Sequence, residues 1–138
     1  DICQLLTQMK LGNAAFFLSG KPVMSGGPVN TDRGFVLHTP MDGFHASLSI
    51  TDELMMTTSL DILSTLGTSA EPKQYMIALG YAGWEKGQLE EEIRENTWLT
   101  VPASPDIIFD IPYEDRWLAA SKSLGIDIWQ LSPQAGHA

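Results

Sequence analysis

Cysteine is nearly absent: Cys3 stands alone in 138 residues, which excludes an intrachain disulfide and a thiolate metal cluster. Long apolar runs are missing as well. None approaches the roughly 18 residues that a spanning helix requires, so a soluble chain with no membrane partner is expected. No charged-then-apolar leader opens the sequence, and a cytoplasmic location follows as the natural expectation. Positive charge is sparse: eight Lys and Arg face 17 Asp and Glu, a formal net charge of −9. The bases stand singly at Lys10, Lys21, Arg33, Lys73, Lys86, Arg94, Arg116 and Lys122. Nucleic-acid affinity comes largely from displacing counterions with clustered Lys and Arg, so this charge argues against a DNA or RNA partner. His38, His45 and His137 lie far apart. No His-x-His or His-x-x-x-His spacing exists, so neither a metal site nor a cofactor is expected.

What is present reads as one domain over residues 1–138, with 43% hydrophobic residues to build a core. Ile2, Leu5, Leu6 and Met9 share one face of a short helix that stops near Gly12. Residues 13–21 show no clear period. Pro22 to Ser25 suits a short strand, and Gly26-Gly27-Pro28 forces a turn. Gly34 to His38 reads as a strand ended by Pro40. Ser47 to Ile50 and Leu54 to Thr58 follow, with Thr51-Asp52-Glu53 as their hairpin connection. Ser59 suits the N-cap of a helix through Leu66, and Gly67 its left-handed stop.

The most informative stretch is Met76 to Ala103. Met76-Ile77-Ala78-Leu79 breaks at Gly80, turns through Tyr81, Ala82 and Gly83, and opens a charged helix from Trp84 to Asn96. Glu85 complements the dipole of its first turn, and Glu90 and Arg94 form a favourable i,i+4 pair. Trp98 to Val101 and Asp106 to Phe109 read as two further strands. A last helix starts at Pro112, with Tyr113, Trp117, Ala120 and Leu124 as its buried stripe and Gly125 as its stop. Ile128 to Leu131 forms one more β-like stretch. Helices are not regularly interleaved with strands, so the expected fold class is α+β: a mixed, mostly antiparallel sheet with about four helices packed on it.

Gly26-Gly27-Pro28-Val29, Asp32-Arg33-Gly34-Phe35-Val36-Leu37-His38 and Thr57-Thr58-Ser59 with Asp61 form a recognisable series. Leu79-Gly80-Tyr81-Ala82-Gly83-Trp84, Gly87-Gln88-Leu89-Glu90, Asp115-Arg116-Trp117, Gly125-Ile126-Asp127 and Ala135-Gly136-His137-Ala138 continue it to the last residue. In this series the chain resembles the AlgH/YqgE family of bacterial proteins. The resemblance implies a strongly curved, barrel-like sheet flanked by helices. It also implies an N-terminal segment of apolar strands before Asp1, so the domain reads as N-terminally incomplete. A sheet edge left open there would offer a route to a homo-oligomer. The family's biochemistry is largely undefined, and some members carry a transcriptional-regulator label; the resemblance hands over no catalytic residues.

The residues themselves offer few chemical sites. Gly26-Gly27 leads through Pro28 to a strand rather than into a helix, so a structural turn outweighs a phosphate cradle. Gly80, Gly83 and Gly87 lack dinucleotide spacing. Ser59 lacks a G-x-S-x-G elbow. The aromatic residues, Trp84 among them, read mainly as core. Candidate ligand-binding residues are Arg33, His38, Gly80, Tyr81, Gly83, Trp84, Glu85 and Gln88. The expected function is a non-enzymatic binding or regulatory module for a protein or small ligand. One alternative is a small hydrolase or transferase that gathers Arg33, His38, Tyr81 and Glu85 into one site. A transcriptional or translational regulator is the other.

Overall fold

The computed structural model describes residues 1, 2, 4, 5 and 21–125, and the chain divides into two compact units, Asp1–Ala82 and Gly83–Ala138. The fold is α+β. The first unit holds a five-stranded sheet: β1 (Val23–Ser25), β2 (Val29–His38), β3 (Ser47–Thr51), β4 (Leu54–Thr57) and β5 (Tyr75–Tyr81). Spatial order is β1-β5-β2-β4-β3. All pairings are antiparallel except β1 with β5. The sheet is mixed and mostly antiparallel, as expected. It is not closed into a barrel: among the described residues β1 and β3 are free edges rather than partners.

Register assigns the two faces. Side chains alternate along a strand, and the pairs Val36 with Ile77 and Val36 with Thr57 put those three on one face. That face is covered. Ile62, Leu63 and Leu66, from a 3-10 helix (Leu60–Thr65) and its end, form the core with Val36, Ile77 and Ile2. Each such side chain contributes about 1.5–3 kcal/mol on leaving water. The pairs Phe35 with Ala78, and Leu37 with Met76 and Met56, define the opposite face. Leu48 sits opposite Met56 there and is 61% exposed.

Glycine governs how the sheet is laced together at one corner. The Gly26 amide donates to the Leu79 carbonyl at 2.8 Å. A Cβ at Gly26 would lie 2.3 Å from the Gly80 carbonyl oxygen, and one at Gly27 2.3 Å from the Tyr81 carbonyl carbon. Gly80 has φ +78, and its own Cβ would meet the Gly27 carbonyl at 2.4 Å. Backbone lies directly on backbone, so the turn reading of Gly26-Gly27 is right and the reason is contact. Gly80 does not break the strand as expected. β5 runs through it to Tyr81, with Gly80 taking the left-handed conformation that other residues resist.

Several local expectations hold. The β3–β4 hairpin closes with Thr51 opposite Leu54, and Gly67 takes φ +78 just past the 3-10 helix. Near the N-terminus Ile2, Gln4 and Leu5 are helical; the rest of that predicted helix, residues 13–20 and Ile128 to Leu131 lie outside the described residues. Ser59 departs from its predicted role. It occupies the N-cap position without a side-chain cap bond, because its hydroxyl is engaged elsewhere.

The described part of the second unit is helical. Its elements are α1 (Gln88–Arg94), a π-helical turn (Asp106–Asp110), a 3-10 turn (Tyr113–Asp115) and α2 (Arg116–Ser123). α1 starts later than predicted, at Gln88 with Gly87 as its N-cap rather than at Trp84, so Glu90 and Glu91, not Glu85, occupy its first turn. Arg94 pairs with Glu91 at 2.8 Å instead of Glu90. Residues 98–101 form no strand. Asp106 to Phe109 is a π turn, closed by the Ile111 amide on the Asp106 carbonyl at 3.0 Å. The predicted α2 stripe is only partly covered: Trp117 and Ala120 are half-buried, while Tyr113 and Leu124 are exposed. Gly125, with φ +71, follows the helix end as expected.

Candidate functional site

Arg33, Gly80 and Tyr81, three of the predicted site residues, line one concavity on the sheet face opposite the core, with Gly26, Phe35, Leu37, Met56 and Ala78. Its volume is about 430 Å³. The local backbone explains the grouping. The β2–β5 register shifts between Val29 and Gly34, and Asn30 takes φ +43 there. Such irregularities re-aim side chains. The Tyr81 ring meets Phe35 edge-on at 5.8 Å, and the Asn30 amide nitrogen donates to the Tyr81 hydroxyl at 3.4 Å. The Arg33 guanidinium lies 5.6 Å from the centre of the Phe35 ring, a cation–π contact. It has no hydrogen-bond or ion-pair partner among the described residues, and no other charged side chain lines the concavity.

His38 is not part of this group. It ends β2 opposite Tyr75, whereas Tyr81 pairs with Val29 at the other end of the ladder. Five residues of strand separate His38 from Arg33, about 16 Å at roughly 3.3 Å per residue. His38 is 0% exposed. Its Nδ1 must donate to the Thr39 carbonyl at 2.7 Å, because a carbonyl only accepts. In the neutral ring Nε2 then accepts from the Thr57 hydroxyl at 2.7 Å, and Ser47 donates to Thr57 at 2.6 Å. Phe44 packs edge-on against the ring at 5.7 Å. The imidazole ties together β2, β4 and β3 inside the core.

Gly83, Trp84, Glu85 and Gln88 belong to the second unit, and there the Glu92 carboxylate gathers Trp84 and Gln88. Glu92 Oε2 accepts from the Trp98 indole at 2.7 Å and the Trp84 indole at 3.0 Å, while the Gln88 amide nitrogen donates to Oε1 at 3.1 Å. These donors, Trp98 first, hold the Glu92 carboxyl below its usual range. The two indoles meet edge-on at 5.9 Å. Gln88 Oε1 accepts from the Glu85 amide at 3.0 Å. Trp84 is 38% exposed, so it is clipped to the surface rather than wedged into a core. The sequence signal was available: indoles at positions 84 and 98 bracket a helix with a carboxylate one turn after Gln88.

A second cluster, also missed, lies beside the covered face. Ser59 donates to Asp61 Oδ1 at 2.5 Å and accepts from the Ala46 amide at 3.1 Å. Asp61 Oδ2 accepts from the His45 amide and approaches His45 Nδ1, both at 2.8 Å. The Ser59 hydroxyl, followed by His45, pulls the Asp61 carboxyl down to about 2. Serine, aspartate and histidine are the triad residue types, but the order is wrong. Aspartate sits in the middle, no imidazole among the described residues reaches the serine, and a carboxylate of such low pKa is a poor base. The cluster fastens the segment before β3 to the 3-10 helix. Beside it, a cavity of about 250 Å³ is lined by Asp32, Arg33, Thr57, Thr58 and Ser59 together with Gly34 and apolar residues that include Leu63 and Leu79, so Arg33 borders both this cavity and the concavity on the other face. Among the described residues no group of three His, Cys, Asp or Glu is placed to hold a metal, and no helix is long and apolar enough to cross a membrane.

Among the described residues, an open, mostly antiparallel sheet with a 3-10 helix on one face and an apolar concavity beside Arg33 on the other defines a small α+β protein. The sequence profile of the AlgH-like family matches residues 1–129, and the chain belongs to that family. A UPF0301 protein of Shewanella woodyi is 54% identical over 100% of this chain and 75% of its own length. A UPF0301 protein of Proteus mirabilis is 58% identical over 86% of this chain. Only 63% of that relative's length is spanned. The solution structure of the AlgH protein from Pseudomonas aeruginosa matches with a TM-score of 0.74 at 42% identity, over 99% of this chain and 72% of that one.

Proposed function

We propose that this chain is a non-enzymatic binding module, and that the concavity lined by Arg33, Phe35, Tyr81 and Gly80 is its ligand site. One observation carries the reading: a guanidinium with no hydrogen-bond or ion-pair partner among the described residues borders an apolar concavity of about 430 Å³, within the range of about 300–1,000 Å³ usual for small-molecule sites. The enzyme alternative required Arg33, His38, Tyr81 and Glu85 to converge. His38 lies at the far end of the ladder, fully bonded inside the core, and Ser59 is committed to Asp61. Neither arrangement supports acid–base or nucleophilic work. A regulatory role for the chain would then act through occupancy of this site.

The test is a fragment screen by NMR on the labelled protein, with Ala78→Leu as the filled-site control. Ligands are expected to shift the amides of Phe35, Ala78 and Tyr81 and to lose that effect in the control. Binding elsewhere that ignores Ala78→Leu would remove the reading. Turnover of generic esters or phosphoesters abolished by His38→Gln in a folded variant would restore the enzyme.

A further inference from the structure

Resting on that reading, we infer that the concavity takes a monoanionic amphiphile: a carboxylate on an aromatic body, with the carboxylate on Arg33 and the body on Phe35, Met56 and Ala78. Three observations narrow the class. Among the described residues the charge at the site is a single guanidinium with no hydrogen-bond or ion-pair partner, and no second cation lines the concavity. Its planar fork matches a carboxylate in two-pronged fashion, and a cation held over an aromatic ring is already positioned to offer that fork. A phosphate dianion would find one positive partner and no helix mouth, in a chain whose net charge is −9, so repulsion weighs more heavily on it than on a monoanion.

The walls select the body. Apart from Arg33 and the Tyr81 hydroxyl they are apolar side chains and glycine backbone: Phe35, Leu37, Met56, Ala78, Gly26 and Gly80. Methionine sulfur and ring edges favour an aromatic surface. Volume sets the size. At about 30 Å³ per water-sized group the space suits on the order of a dozen non-hydrogen atoms, which is the size of a two-ring aromatic acid.

The test titrates 2-naphthoate, its neutral amide 2-naphthamide and inorganic phosphate into the full chain, followed by amide shifts, with folding of each variant checked by thermal melting. Naphthoate is expected to bind at least tenfold more tightly than naphthamide, and phosphate not to saturate. Arg33→Gln, at an exposed position, is expected to bring naphthoate to within twofold of naphthamide. Ala78→Leu is expected to remove both. Equal affinity for acid and amide, or indifference to Arg33→Gln, would overturn the anionic class while leaving the site standing. Saturation by phosphate would overturn it in favour of a phosphorylated ligand. Absence of any binding sensitive to Ala78→Leu, with Met56→Ala as a second occupant-sensitive variant, would bring down both the class and the proposed site.

Discussion

Among the described residues every fully buried apolar side chain, from Ile2 through Ile77, belongs to the unit Asp1–Ala82, and none to the unit that begins at Gly83. The first unit is held by core packing and by backbone pressed on backbone at Gly26, Gly27 and Gly80. The described part of the second draws on polar bonds at its surface, chiefly the two indoles and the amide gathered on Glu92. Two short helices can be ordered this way without a core of their own, but the bonds compete with water and each is worth little. The difference shows where substitutions should matter.

The largest effect is expected at the glycine crossing. Gly27→Ala puts a Cβ 2.3 Å from the Tyr81 backbone, with nothing flexible to yield, and should destabilise by at least roughly 3 kcal/mol, the top of the common range. Urea unfolding measures it; a loss below about 1 kcal/mol would show that the crossing gives way easily. Ile62→Ala, at a fully buried position, should cost about 2–5 kcal/mol, set by how far the cavity collapses. Both changes act on the first unit.

In the second unit Trp84→Phe should cost about 1 kcal/mol or less, since it removes one partly exposed donor and opens no cavity. A loss of several kcal/mol in chemical denaturation would restore the wedge expected from sequence. The clasp also has a pH signature. The Glu92 carboxyl is held below its ordinary value of 4.5 by its three donors, so the folded state binds its proton less readily than the unfolded one. Its contribution is fully present above that value and is lost as pH falls through the depressed folded pKa. Indole fluorescence should therefore change on acidification below pH 4.5, and Trp84→Phe should diminish the change. In the first unit Asp61, lowered to about 2 from 3.8, follows the same sign. A single transition at ordinary carboxylate pH would refute both.

How much of this was legible in the sequence follows the same division. The β3–β4 hairpin, the stops at Gly67 and Gly125 and the mixed sheet rest on local signals that tertiary context reinforces. Asp106-Ile107-Ile108-Phe109 was unreadable for a physical reason: a short apolar run fits a strand and a helical turn equally, and nothing local favours a fifth-residue hydrogen bond. Trp98 failed similarly, since its carboxylate partner acts through a bond that periodicity does not register. At the candidate site, chemistry was legible and geometry was not. Arg33 and Tyr81 stood out by type; His38 stood out equally, but only the register shows it at the far end of the ladder. Gly80 was seen as a break because a lone glycine signals a turn, whereas its φ serves a crossing of strand on loop.

The smallest effect is a gain, and it separates glycines that backbone contact demands from one that it does not. Gly34 sits in β2 opposite Leu79 with no left-handed φ. A Cβ there would meet only the Leu79 Cδ2, at 3.8 Å, an ordinary contact, on the edge of the 250 Å³ cavity. Gly34→Ala therefore adds packing where space exists and restricts the unfolded chain, and should stabilise by about 0.4–1 kcal/mol. Thermal and urea unfolding should both move upward while ligand shifts at Phe35 and Tyr81 stay unchanged, because the added methyl lies on the opposite face. A loss of stability would mean that the covered face is already full at this point and that the cavity is not space the protein can give up.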